Sequence, residues 1–150
     1  MNSEFHEEKI AHLGFIQGVI NRMGNNSFLI KGWTVTLVAA IFALASKDTN
    51  QNFIYISLVP IIVFWLLDSY YLRQERLFRK LYGKVAEGDK SYNFCMNTAL
   101  VEGEVDSMHR IMTTKSILPF YGLIVVIMFF VIMLMTGWHF WETTGQLCRK

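Results

Sequence analysis

The longest uncharged stretch of the chain is its strongest constraint on folding. Residues 116–141 contain no Asp, Glu, Lys or Arg, and most of them are apolar. A run of about 18 or more such residues is typical of a transmembrane helix, because a helix satisfies its own backbone polar groups in lipid. Hydrophobic residues make up 53% of the 150-residue chain and charged residues only 17%. This composition disfavours a soluble enzyme, a secreted disulfide scaffold and a disordered chain.

Two further apolar segments predict a chain that crosses the membrane three times. The first is residues 28–46, where Lys31 is the only charged residue, and the second is residues 53–72, where Asp68 is the only one. For the first segment, a buried soluble helix or a re-entrant segment is the alternative. The predicted fold class is an all-α integral membrane protein, with residues 116–141 as the third transmembrane helix.

The distribution of basic residues predicts the orientation of these helices. If the N-terminus is cytoplasmic, most of the 14 lysines and arginines lie on the inner side of the membrane, and residues 142–150 form a short extracytoplasmic tail. Inner loops are enriched in Lys and Arg. The expected protein is therefore a multi-pass protein of the bacterial inner membrane, with its N-terminus inside and its C-terminus outside.

Two cytoplasmic segments complete the predicted organisation. Residues 1–27 resemble an amphipathic helix, and Gly24–Ser27 is expected to break it before the first span. This helix is expected to pack on the cytoplasmic loop, the alternatives being the membrane surface or an arm that binds a partner. Residues 73–115 are expected to form a basic helix, continuous with the second span, and then a polar segment over residues 88–115, here called the connector.

The basic helix carries the clearest candidate binding surface. Its cations recur at helical spacing and share one stripe. Three interpretations stay open: headgroup contacts at the inner membrane surface, a site for a nucleotide or other polyanion, and ion pairs with the connector acids Glu102, Glu104 and Asp106. The stripe, here called the basic stripe, consists of Arg73, Arg76, Arg79, Lys80 and Lys84.

Polar and small residues inside the spans are the second candidate set. A charge within a membrane usually has a partner, so Lys31 and Asp68 are expected to pair. Pro60 permits a kink in the second span. Small residues at helical spacing favour close helix contacts. They are expected either to pack within the chain, to pack between subunits or to line a pore, and they are Gly32, Thr34, Thr36, Ala40, Ala43 and Ser46.

Signals for catalysis are weak. The histidines and cysteines follow no metal-binding spacing, and no glycine-rich phosphate-binding motif occurs. Tyr92 and Phe94 could stack on bases, although packing is the commoner role of two aromatic residues in a loop. The expectation is a protein without enzymatic activity, metal or cofactor.

Three strings, GWTVTLVAAIFALA, FWLLDSYYLRQERLFRKLYGKV and KSILPFYG, resemble the small transmembrane effectors of bacterial antiphage defence operons of the Hailong type. The resemblance implies a homo-oligomer, with a tetramer as the expected form, that conducts ions or depolarises the membrane. It also implies control by cytoplasmic nucleotide or single-stranded DNA oligomers, made by an operon-encoded nucleotidyltransferase. The ligand would then contact the basic stripe, and the pore would lie on the small or polar face of the spans.

Two functional hypotheses follow. The first is a membrane-permeabilising effector that a cytoplasmic anionic ligand gates. The second is a non-enzymatic membrane anchor that recruits a cytoplasmic partner. A nucleotidyltransferase gene beside this one would favour the first hypothesis.

Overall fold

The computed structural model describes residues 2–45, 53–89 and 94–147, and every regular element in those ranges is a helix. The all-α class predicted from the sequence is thus confirmed. The elements are α1 (Asn2–Ala45), α2 (Phe53–Ile56), α3 (Leu58–Glu87), the 3-10 helix η1 (Thr98–Glu104), α4 (Met108–Met112) and α5 (Leu118–Leu147).

Helix α1 corrects one prediction, because it runs without interruption through Gly24–Ser27. Glycine inside a helix costs about 1 kcal/mol relative to alanine, which is little against the tertiary contacts available to a long helix. Helix α1 packs against α3, and Ser27 in the expected break donates a hydrogen bond to Asp68 of α3. Residues 1–27 and 28–46 therefore do not form separate helices within the described range.

The expected second span begins as two helices. Helix α2 ends at Ile56, Ser57 separates it from α3, and Pro60 lies in the first turn of α3. Proline has no N–H to donate to the carbonyl four residues earlier, and its ring clashes with that carbonyl. The carbonyl four residues before Pro60 belongs to Ile56, where α2 ends. The helix is therefore interrupted at the position where Pro60 was expected to permit a kink.

Helix α3 then continues from the apolar segment into the basic one, as expected. It ends at Gly88, whose φ of 87° is left-handed and therefore favours glycine. The Gly88 N–H donates to the Val85 carbonyl at 3.1 Å, and the Asp89 N–H donates to the Lys84 carbonyl at 3.3 Å. One continuous helix thus joins the apolar segment to the basic segment.

Two buried clusters hold the helices together. We call residues 6–24, 73–89 and 94–107 the charged end, and residues 28–45, 55–69 and 117–134 the apolar end. The core of the charged end comprises Ile16, Ile20, Leu77, Leu81, Val85 and Val101. The core of the apolar end comprises Val38, Ile61, Ile117, Tyr121 and Met128, with Ile111 of α4 packed onto it.

The outer surface of the apolar end is itself apolar. Phe28, Val126 and Phe129 are each more than 60% exposed, and similar side chains surround them on α1, α3 and α5. Exposed apolar patches of this kind mark contacts with a membrane or another protein. Among the residues whose side chains the structure describes, His6–Ala45 of α1 is long and apolar enough to cross a membrane, and Leu118–Leu134 of α5 is a shorter apolar segment.

Candidate functional site

The basic stripe is presented by the second half of α3. Leu77, Leu81 and Val85 recur every four residues and are buried in the core of the charged end. Val101 of η1 enters the same core and is fully buried. This contact fixes the connector beside α3 and brings its acidic residues to the basic stripe.

Connector carboxylates contact four of the five predicted cations. Glu102 Oε1 lies 2.7 Å from Arg73 Nη2. Glu104 lies between two lysines, at 3.2 Å from Lys84 Nζ and 3.9 Å from Lys80 Nζ. We call this row of contacts the ion-pair seam.

Asp106 and Glu75 complete the ion-pair seam. Asp106 Oδ2 lies 3.4 Å from Arg76 Nη1, and its Oδ1 lies 3.0 Å from Arg110 Nη1. Arg79 differs from the other members of the stripe, because it pairs within α3 with Glu75 at 2.7 Å. Of the interpretations left open by the sequence, pairing with the connector is the one that the described contacts display. The Glu75–Arg79 pair follows from the i,i+4 spacing in the sequence, whereas Arg110 was not singled out, although it lies four residues after Asp106.

The ion-pair seam borders a cavity of about 450 Å³. The cavity is large enough to hold phosphate groups, and its charged lining contains three cations and two carboxylates. Exposed ion pairs of this kind contribute only about 0–1 kcal/mol each. The carboxylates are therefore held only weakly at the basic stripe. The cavity is lined by Arg76, Arg79, Lys80, Glu104, Val105 and Asp106.

A second polar cluster lies in the apolar end. Lys31 Nζ is 2.6 Å from Asp68 Oδ2, so the two residues that were expected to pair form a salt bridge. Ser27 Oγ donates to Asp68 Oδ1 and accepts from Lys31 Nζ at 2.9 Å. The Asp68 side chain is fully buried, whereas that of Lys31 is 22% exposed. Ser27 was placed in a helix break by the sequence argument, although its position one turn before Lys31 puts both on one helix face.

The small and polar residues of α1 divide into two groups. Thr34 is buried, and its Oγ1 donates to the Ile30 carbonyl at 2.8 Å. Gly32, Thr36, Ala40 and Ala43 face outward, and a Cβ added at Gly32 would meet nothing within 4 Å. Among the described residues, helix packing within one chain thus does not bury Gly32, Thr36 or Ala40. Ser46 lies outside the described residues.

An aromatic groove at the charged end was not expected from the sequence. His12 is 6% exposed, and its ring centroid lies 5.7 Å from that of Phe94. Phe94 has a φ of 55°, a conformation that bulky residues rarely adopt. With Phe15 and Glu8 these residues line a groove of about 510 Å³. Phe94 thus packs on a residue far from it in the chain, which no local pattern could indicate.

No family model, curated protein or solved structure matches this chain. Within the described residues, no group of three His, Cys, Asp or Glu side chains could hold a metal ion. Function is therefore inferred from the two surfaces of the molecule itself.

Proposed function

We propose that this protein is a non-enzymatic, membrane-permeabilising effector of a bacterial antiphage defence system, gated by a cytoplasmic nucleotide or DNA oligomer. It crosses the inner membrane three times, with its N-terminus inside. The observation that carries the proposal is the continuity of α3, which joins the apolar end to the basic stripe.

Membrane insertion of the apolar end is supported by its exposed side chains. Trp33 on α1, Val59 on α3 and Phe130 on α5 are all at least 60% exposed. Burying such surfaces in lipid stabilises the protein by about 25 cal/mol for each Å² of apolar surface removed from water. Lys31 and Asp68 are the only Lys, Arg, Asp or Glu residues of the apolar end, and they pair with each other, which is how charges are accommodated within membranes.

Coupling between ligand and membrane is supported by the length of α3. Its 30 residues span about 45 Å at about 1.5 Å per residue. A displacement at Lys80 is therefore transmitted to Ile61 without an intervening loop. An anionic ligand at the basic stripe would change the helix packing of the apolar end by this route.

Assembly from several copies is supported by the outward face of α1. Small residues allow helices to approach closely, and in one chain Gly32, Thr36 and Ala40 contact no neighbouring helix closely enough to be buried. A second copy that packs there would build a homo-oligomer, and a tetramer is the form that the resemblance to defence effectors implies. The ligand would then be made by an operon-encoded nucleotidyltransferase.

The aromatic groove favours a second candidate function, that of a membrane anchor. Phe15 is 71% exposed and Ile10 is 56% exposed, both on the first part of α1. A cytoplasmic partner that covers these residues would be held at the membrane without any permeability change. An effector changes the membrane potential of the cell that expresses it, whereas an anchor leaves that potential unchanged.

Membrane potential in bacterial cells separates the two functions. Expression of the protein alone is expected to depolarise the cells, and co-expression of its operon partner is expected to restore the potential. Arg76→Gln with Lys80→Gln should abolish the restoration, whereas Arg22→Gln with Lys115→Gln, which removes two exposed cations elsewhere, should preserve it. A normal potential in all strains, including after phage challenge, would contradict the effector function and favour the anchor.

Orientation is tested separately by a reporter fused after the last residue. A reporter that is active only outside the cytoplasm should be active in this fusion. Activity of a second reporter that works only inside the cytoplasm would place the C-terminus inside, and it would overturn the three-span arrangement with an inner N-terminus.

A further inference from the structure

We propose that Glu102, Glu104 and Asp106 are an internal competitor for the basic stripe, which an anionic ligand must displace before it binds. This inference rests on the proposed function in one respect, namely that the ligand of the basic stripe is an anion. It adds the regulation of that site. The connector and the ligand occupy the basic stripe alternately, so each ligand that binds releases the connector.

The carboxylates already occupy the positions that phosphate oxygens would take. Arg73 holds Glu102 at 2.7 Å, a distance typical of a charge-assisted hydrogen bond. Glu104 reaches two lysines through its two oxygens. A ligand with several phosphate groups would therefore meet every one of these cations already engaged.

The competitor is weakly held. Glu102 is 59% exposed, Glu104 is 40% exposed and Asp106 is 36% exposed, so each can exchange its cation for water at little cost. By contrast, an oligonucleotide gains from counterion release at each phosphate that it places on a cation. A multivalent anion therefore displaces three separate carboxylates more readily than a single phosphate does.

The backbone that carries the competitor is suited to release. Helix η1 extends over seven residues, whereas 3-10 helices longer than about 3–4 residues are uncommon because their hydrogen bonds are poorly aligned. Gly103 lies between Glu102 and Glu104, and a Cβ added there would meet nothing within 4 Å. The ion pairs and the buried Val101 thus hold this segment in place.

Release of the connector has a direct route to the apolar end. The connector ends in α4, where the Met112 carbonyl accepts a hydrogen bond from Trp65 Nε1 at 3.2 Å. The Trp65 ring stacks on Tyr121 of α5, with centroids 5.9 Å apart and planes 7° apart. Displacement of the connector therefore disturbs the Met112–Trp65 hydrogen bond. Through Trp65 it also disturbs the contact between α3 and the start of α5.

The test compares anion binding in two variants that each lose two negative charges. Glu104→Gln with Asp106→Asn removes two of the three competitor carboxylates, and Glu7→Gln with Glu87→Gln removes two exposed carboxylates outside the ion-pair seam. The purified full chain in micelles is titrated with a fluorescent oligothymidylate of about eight nucleotides, a length within the usual range of single-strand sites. The first variant is expected to bind about tenfold more tightly than the wild type, and the second to bind like the wild type.

Hydrogen exchange of residues 98–107 supplies the second readout. Saturating oligothymidylate is expected to speed exchange of these amides several-fold in the wild type, because the connector leaves the stripe. Binding by the wild type with no gain in the Glu104→Gln, Asp106→Asn variant, or with slower exchange of the connector, would overturn the competition while leaving an anion site intact. Absence of binding by all three proteins would overturn both the competition and the anionic ligand of the proposed function.

Discussion

The charged end and the apolar end share helices α1 and α3 but place charge in opposite locations. At the charged end the core is apolar, and the ion pairs lie on the surface, where Glu102 and Glu104 are at least 40% exposed. At the apolar end the surface is apolar, and the Lys31–Asp68 pair lies inside, with Asp68 fully buried. The first arrangement is suited to water, and the second is suited to lipid. The inversion along one pair of helices is the arrangement that the proposed membrane insertion requires.

The largest expected effect comes from breaking the buried pair. Asp68→Ala leaves Lys31 and Ser27 without their acceptor, and we expect a loss of about 3–5 kcal/mol in the free energy of unfolding in micelles. Glu102→Gln, at an exposed pair, should cost less than about 1 kcal/mol. Replacing both partners by Met and Leu should restore most of the loss. Equal losses at Asp68 and Glu102 would remove the contrast between the two ends.

Core truncation is expected to have a comparable effect at the charged end. Leu81 is fully buried, and Leu81→Ala should cost about 2–5 kcal/mol, because both transfer energy and a cavity contribute. Val126→Ala, at a side chain that is 64% exposed on the apolar end, should change the unfolding free energy by less than about 0.5 kcal/mol in the same micelles. A large loss at Val126 would indicate that its exposed face packs against protein.

Raising the ionic strength is expected to have a smaller effect, and to act on the charged end alone. The Debye length falls from about 10 Å at 0.1 M salt to about 3 Å at 1 M, which weakens exposed ion pairs and leaves buried ones nearly unchanged. Amide exchange of residues 98–107 should therefore quicken several-fold over this range, while exchange of residues 61–67 should not change. A uniform response of both segments would mean that the ion-pair seam does not hold the connector.

The smallest effect on the single chain is expected at Gly32, where open space surrounds the position. Gly32→Leu should change the unfolding free energy of the monomer by no more than about 1 kcal/mol, yet it should prevent close helix contact between copies. Analytical ultracentrifugation in micelles would show a shift from oligomer to monomer. Thr34→Val, inside the chain, is the matched control and should leave the oligomer in place. An unchanged oligomer in the Gly32 variant would exclude this face as the subunit contact.

Local pattern predicted some of the elements and some of the contacts between them. The continuity of α3 and the Lys31–Asp68 pair both follow from spacing and from the cost of an unpaired charge, and both are present in the structure. The continuity of α1 through Gly24 was missed, because packing on α3 overrides the weak helix propensity of that segment. The contact of Phe94 with His12 was missed since it joins distant residues and depends on a backbone conformation that no pattern signals.

The central claim is that an anion at the charged end controls permeability at the apolar end. Its most direct test is potassium efflux from proteoliposomes that contain the purified protein, with and without oligothymidylate. We expect efflux that the oligonucleotide changes severalfold in the wild type, no response in the Arg76→Gln, Lys80→Gln variant, and a normal response in the Arg22→Gln, Lys115→Gln control. Efflux that is absent under every condition, or that the oligonucleotide changes equally in the wild type and in both variants, would contradict the account.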